Sequence, residues 1–152
     1  MNIYGPGLRA MAAASRSLAN SKGVSEEGRP ARIFVVDDEE FVREVYRDVF
    51  ESKGHTVFGA GSGEEALEVF RTMRHPPDLV IMDHRMPGKD GIETTKDLLR
   101  LEPGLPIIFS SADESVRETA IRAGAISFWT KPFPIALLVD AMNDILDAKK
   151  RR

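Results

Sequence analysis

The sequence predicts an α/β domain, a parallel β-sheet with helices on both faces. Two observations carry this. Apolar runs at 33–36, 56–58, 79–82, 106–109 and 126–129 are short and continuous rather than alternating, the pattern of strands covered on both sides. Between successive runs, and after the last, apolar residues recur at helical spacing. Repeated strand-then-helix units close through right-handed crossovers, and these build a parallel sheet.

Taken in order, Ile33-Phe34-Val35-Val36 is the first strand, and Phe41, Val42, Val45, Val49 and Phe50 mark the first helix. Thr56-Val57-Phe58 follows. Ser62 then supplies an N-cap before the acidic turn Glu64-Glu65 and a helix carrying Ala66, Leu67, Val69 and Phe70. Leu79-Val80-Ile81-Met82 is the third strand, followed by a helix on Ile92, Thr95, Leu98 and Leu99. Pro106-Ile107-Ile108-Phe109 precedes a helix on Val116, Ala120 and Ile121. Ile126-Ser127-Phe128-Trp129 is the fifth strand, and Leu137, Leu138, Ala141, Met142 and Ile145 form the closing helix. The expected architecture is a doubly wound five-stranded parallel sheet, (βα)5, in the flavodoxin-like order 2-1-3-4-5, with its ligand crevice at the carboxyl ends of the strands.

Residues 1–30 are rich in Gly, Ser, Ala and Pro without a sustained period and are expected to be disordered, leaving 31–152 as one domain. A formal net charge of -3 provides no general attraction to nucleic acid or to an anionic membrane. The basic residues at 149–152 suit the negative pole of the closing helix. The absence of cysteine excludes disulfides, thiol catalysis and thiolate metal sites. No apolar stretch approaches the roughly 18 residues that span a bilayer.

The fold places Asp37 and Asp38 at the end of the first strand, Asp83 at the end of the third, Ser111 past the fourth and Lys131 past the fifth. All five converge on one crevice. Three packed carboxylates repel one another unless a cation neutralises them, so a divalent metal is expected. Oxygen-only ligands favour a hard ion, and Mg²⁺ suits a site that keeps waters and accepts a phosphoryl oxygen. Taken singly, these residues are ordinary. Asp37-Asp38-Glu39-Glu40 reads as an acidic helix start, Met86-Pro87-Gly88 as a turn, and Lys131 as a solvated lysine. His55, His75 and His84 read as surface residues, and Trp129 as packing. It is their joint placement at strand ends that points to chemistry.

The segment Val80-Ile81-Met82-Asp83-His84-Arg85-Met86-Pro87-Gly88-Lys89-Asp90-Gly91 resembles the receiver domain of two-component response regulators, of the single-domain, CheY-like kind. Val35-Val36-Asp37-Asp38-Glu39 upstream and Phe128-Trp129-Thr130-Lys131-Pro132-Phe133 downstream add to it, and the resemblance covers 32–148. It implies that Asp83 is a phosphoacceptor, taking a phosphoryl group from a histidine kinase or histidine phosphotransferase, assisted by Lys131 and Ser111. It implies a Mg²⁺ held by Asp38 directly, Asp37 through water, Asp83 and the backbone carbonyl of Arg85. Ser111 and Phe128 take the positions of a switch coupled to the face of the fourth helix, fifth strand and fifth helix. That face would meet an unknown downstream protein or a second copy in a homodimer. Arg85 and Asp113 fall where the family tunes the lifetime of its phosphorylated state. The family usually has the peptide bond before Pro132 in cis.

The resemblance further implies a cytoplasmic signalling protein that catalyses only its own phosphoryl transfer and dephosphorylation. No sequence past the last helix serves an output domain, so a stand-alone receiver is expected. Gly124 falls about two residues early against the family pattern, which implies a shortened loop into the fourth helix and leaves Ser110 as an alternative hydroxyl. Two other functions compete. One is a docking module that works without phosphorylation. The other is a Mg-dependent phosphohydrolase, for which the Asp-x-Asp nucleophile pattern is missing from both Asp37-Asp38 and Asp83-His84-Arg85.

Overall fold

The computed structural model describes residues 30–151. Five strands, β1 (Arg32–Val36), β2 (Thr56–Ala60), β3 (Leu79–Asp83), β4 (Ile107–Ser111) and β5 (Ser127–Thr130), form one sheet in the order β2-β1-β3-β4-β5. All neighbours are parallel. The helices are α1 (Glu40–Ser52), α2 (Gly63–Thr72), α3 (Gly91–Leu101), α4 (Arg117–Ala123) and α5 (Ile135–Lys150), with a 3-10 turn over Glu114–Val116 leading into α4. The order and the strand-helix alternation are as the sequence predicts. The 1–30 extension, expected to be disordered, lies outside the described residues except for Pro30. Among the described residues, no helix is long and apolar enough to cross a membrane.

Each strand feeds two cores. Ile33 and Val35 of β1 face α1 and α5, meeting Val45, Val49, Leu138 and Met142. Phe34 and Val36 face the opposite side, with Leu67, Ile92, Leu98 and Ala120. Both faces are dry, so successive residues must all be apolar, which is why the runs do not alternate. A Phe→Ala change in such a position costs about 3–5 kcal/mol.

The strands extend further than their apolar runs. β2 continues to Ala60 and β4 to Ser111, so Ser111 ends its strand rather than following it. The ladder is made by backbone groups, and pairing such as Ser111 with Thr130 does not require apolar side chains. Ala112 and Asp113 alone separate β4 from the 3-10 turn before α4. The Asp113 carboxylate accepts the Ser115 N–H at 3.0 Å, so the 3-10 turn begins almost as soon as β4 ends. α4 itself spans only 7 residues.

Candidate functional site

Local structure fixes each acid at the carboxyl end of the sheet. Asp37 follows β1, and its N–H donates to Ala60 O at 3.0 Å, tying it to the end of β2. Its Oδ1 accepts the Glu39 N–H at 2.9 Å, which opens the path into α1. Asp83 is the last residue of β3. The turn beyond it depends on two glycines. Gly88 has a φ of 76°, which favours glycine, and a Cβ on Gly91 would lie 2.1 Å from Asp83 O. Without that close approach α3 could not start against the end of β3. Asp90 caps α3 by accepting the Glu93 N–H at 2.9 Å.

Lys131 follows β5, held by its N–H to Ser111 O at 2.9 Å, and the Lys131–Pro132 bond is cis. Its Nζ donates to Asp37 Oδ2 at 3.0 Å and to Asp83 Oδ1 at 3.2 Å. Carboxylate oxygens of Asp37, Asp38 and Asp83 lie within 4.8 Å of one another. Asp37, Asp38, Asp83 and Lys131 are thus brought together.

The electrostatics follow from the crowding. Burial and then the charge of Asp37 push Asp83 up to about 7, against the opposing pull of Lys131. Burial alone would lower Lys131, but Asp37 and Asp83 outweigh it and hold the ammonium above its ordinary range. Three carboxylates and one ammonium leave negative charge uncompensated, and the ligand atoms are all oxygens, so the residues fit a hard divalent ion. A cation seated there would return Asp83 toward the ordinary carboxylate range. Asp37 is already engaged at both oxygens. Asp38 is exposed, and its carboxylate makes no hydrogen bond among the described residues.

The remaining predicted residues are distributed around this centre. The Ser111 hydroxyl accepts the Asp113 N–H at 3.0 Å. Arg85 follows β3, and its guanidinium reaches Asp113 Oδ2 at 3.3 Å, so the two positions flanking the mouth do meet. Phe128 stands inward, 7 % exposed, stacked on Phe109 with centroids 5.9 Å apart.

Two histidines depart from the surface reading. His84 is half-buried against Phe109 at 5.8 Å, with Nδ1 unpartnered. His55 is half-buried beside Phe50, and its Nδ1 accepts the Ala31 N–H at 3.0 Å. Sequence reasoning also missed Arg117. Its guanidinium lies 4.7 Å from the Phe128 ring centroid and donates to Thr130 Oγ1 at 3.2 Å. No local pattern flags an exposed helical arginine as the cover of a strand aromatic.

Known proteins resemble this chain in sequence and in fold. The family model for the response regulator receiver domain matches residues 33–143. The chemotaxis protein CheY of Halobacterium salinarum is 37% identical over 119 residues, 77% of this chain and 98% of that protein. The CheY of Thermotoga maritima is 36% identical over 117 residues, 75% of this chain and 96% of that protein. A chain from the crystal structure of the CheX-CheY-BeF3-Mg²⁺ complex of Borrelia burgdorferi superposes with a TM-score of 0.71 at 26% identity, covering 78% of this chain and 90% of that one.

Proposed function

The chain belongs to the response regulator receiver family, and from that premise we propose that it accepts a phosphoryl group on Asp83 and signals through contacts that depend on it. The observation that carries the reading is the Lys131 ammonium bridging Asp37 and Asp83 at 3.0 and 3.2 Å beside the open carboxylate of Asp38. An Asp83 carboxylate oxygen attacks the phosphorus of a phosphohistidine on a histidine kinase or phosphotransferase. The P–N bond breaks, the electron pair returns to the imidazole, and an acyl phosphate forms on Asp83. Lys131 stands where the phosphoryl oxygens develop charge and stabilises them. Ser111, at the end of β4, would contribute its hydroxyl by giving up the Asp113 N–H.

Asp38, Asp83 and the backbone carbonyl of Arg85 would hold Mg²⁺, with Asp37 acting through water. The ion, when bound, supplies positive charge to the transferring phosphoryl oxygens and to the crowded acids. The CheX-CheY complex, named with BeF3 and Mg²⁺, supports this ligand chemistry by kinship. On the family's account the protein works in the cytoplasm, catalyses only its own phosphorylation and dephosphorylation, and presents the α4, β5, α5 face to a downstream protein or a second copy.

One observation favours a phosphorylation-independent docking module instead. Phe128 is already inward beneath Arg117, the arrangement the switch would otherwise have to reach.

The test is incubation with Mg²⁺ and phosphoramidate or acetyl phosphate. The expected result is one base-labile phosphoryl adduct that requires Mg²⁺. No adduct would overturn the reading in favour of docking, and catalytic turnover of small phosphate esters would overturn it in favour of a phosphohydrolase.

A further inference from the structure

The edge strand β2 carries a slot on the side of α1. Side chains of a strand alternate between its faces, so Gly59 follows Val57 toward α1, in register with Val35, and Gly61 continues the row just past the strand. Neither has a side chain to pack there. Arg43 of α1 lies along both: a Cβ on Gly59 would stand 3.4 Å from its Cδ, and a Cβ on Gly61 would stand 3.2 Å from its Nη1. A methyl group at Gly61 would already press on the guanidinium.

The slot leads to the acids. Half-buried Arg43 donates from Nη1 to the backbone carbonyl of Asp37 at 2.6 Å, and among the described residues it forms no ion pair. The neighbouring Glu65 carboxylate is turned to the Gly61 N–H instead, at 2.8 Å. Helix stability does not call for this arginine, because a cation near the start of a helix opposes the helix dipole. Its contact with Asp37 is what the placement achieves.

The bonded oxygen belongs to the rigid peptide plane that joins Asp37 to Asp38. Asp37 is also held by its N–H to Ala60 O and at both carboxylate oxygens. Asp38 has no such support. It is exposed, and its carboxylate makes no hydrogen bond among the described residues, so its direction comes from the backbone that carries it. Arg43 grips that backbone.

We propose that Arg43 is a positioning residue for the metal site: from the slot over Gly59 and Gly61 it clamps the Asp37–Asp38 peptide plane and so aims the Asp38 carboxylate at the ion. Charge and position act here in opposite senses. A guanidinium beside a cation site repels the ion, so as a charge alone Arg43 would weaken Mg²⁺ binding. As a clamp it strengthens it. The inference rests on the reading of Asp38 as a Mg²⁺ ligand.

The test compares the full chain with Arg43→Met and Gly61→Val. Methionine lies along the slot as an unbranched chain but has neither donor nor charge, whereas valine at 61 leaves the arginine in the chain and crowds its head out of the slot. The Asp37 carbonyl ¹³C resonance is recorded without metal, and Mg²⁺ alone, with no phosphoryl donor, is titrated while the Asp38 amide is followed by NMR. Arg43→Met is expected to move the Asp37 carbonyl upfield, as loss of its hydrogen bond requires, and to raise the half-saturating Mg²⁺ concentration about tenfold. Gly61→Val should move both in the same directions although the charge is retained. Mg²⁺ binding equal to or tighter than wild type in Arg43→Met would overturn the proposal, and so would weaker binding with an unmoved carbonyl resonance, which marks a general loosening. If the wild type binds no Mg²⁺, it is the metal-site reading that fails, and the Asp37 resonance still decides the clamp.

Discussion

β3 has an aspartate at each end, and the two live in opposite circumstances. Asp78, just before the strand, is 5 % exposed, and Asp83, its last residue, is 9 % exposed. At the amino end, Asp78 Oδ2 accepts the Arg32 N–H at 2.8 Å, and the Lys149 ammonium lies 3.7 Å from Oδ1. At the carboxyl end, Asp83 shares one ammonium with Asp37 and faces Asp38 as well. Similar burial therefore serves two ends. A carboxylate surrounded by donors holds the chain together, whereas one crowded by its own kind is at a cost that a cation would relieve.

The largest expected effect is the loss of function in Asp83→Asn. Phosphoryl uptake, followed by intact mass, should fall to background while the melting temperature equals or exceeds wild type, because one of the crowded charges is gone. Asp78→Ala should do the reverse. It leaves the Arg32 N–H without its carboxylate, and urea unfolding should report a loss of about 1–3 kcal/mol, with uptake by the folded protein unchanged. Equal destabilisation by both changes would erase the distinction between the two ends.

A subtler test concerns pH at the amino end. His55 accepts the Ala31 N–H, and burial first, then the charge of Lys53, lowers it from 6.5, while Asp78 acts in the opposite direction. A group whose folded value is depressed binds its proton more readily in the unfolded chain. The stability it contributes is whole above pH 6.5 and is lost as pH falls through the folded value. Protonation of Asp83 acts in the opposite sense over this range, so the expected outcome is a difference: below pH 6.5 the urea midpoint of wild type should lose ground against that of His55→Gln.

The smallest structural effect belongs to Arg85 and Asp113, whose side chains are 79 % and 26 % exposed. A screened pair of this kind contributes little to folding. Replacing both by alanine should leave the melting temperature nearly unchanged while the phosphoryl group is lost faster. A decay equal to or slower than wild type would show that the pair does not cover the mouth.

Much of the fold was legible because dry faces leave a mark on every residue of a strand. Asp37, Asp38, Asp83 and Lys131 were legible for a related reason, since each stands where an apolar run stops, and a parallel sheet carries all such stops to one edge. The partners of His55 and Arg117 were not legible in this way. Their partners, Ala31 and Phe128, are remote or on another element, and periodicity reports which face is buried but not what a long side chain meets there. Ser110 and Ser111 were separable only through register, which sets Ser110 opposite Asp83 and Ser111 opposite Thr130.

The most direct test of the central claim is to locate the phosphoryl group. The full chain would be incubated with Mg²⁺ and phosphoramidate, the acyl phosphate reduced with borohydride, and the peptides mapped by mass spectrometry. The expected result is a single label at Asp83, absent when Mg²⁺ is chelated, with Asp78 unlabelled. A label at Asp78 or on a serine, or no label at any aspartate, would contradict the account.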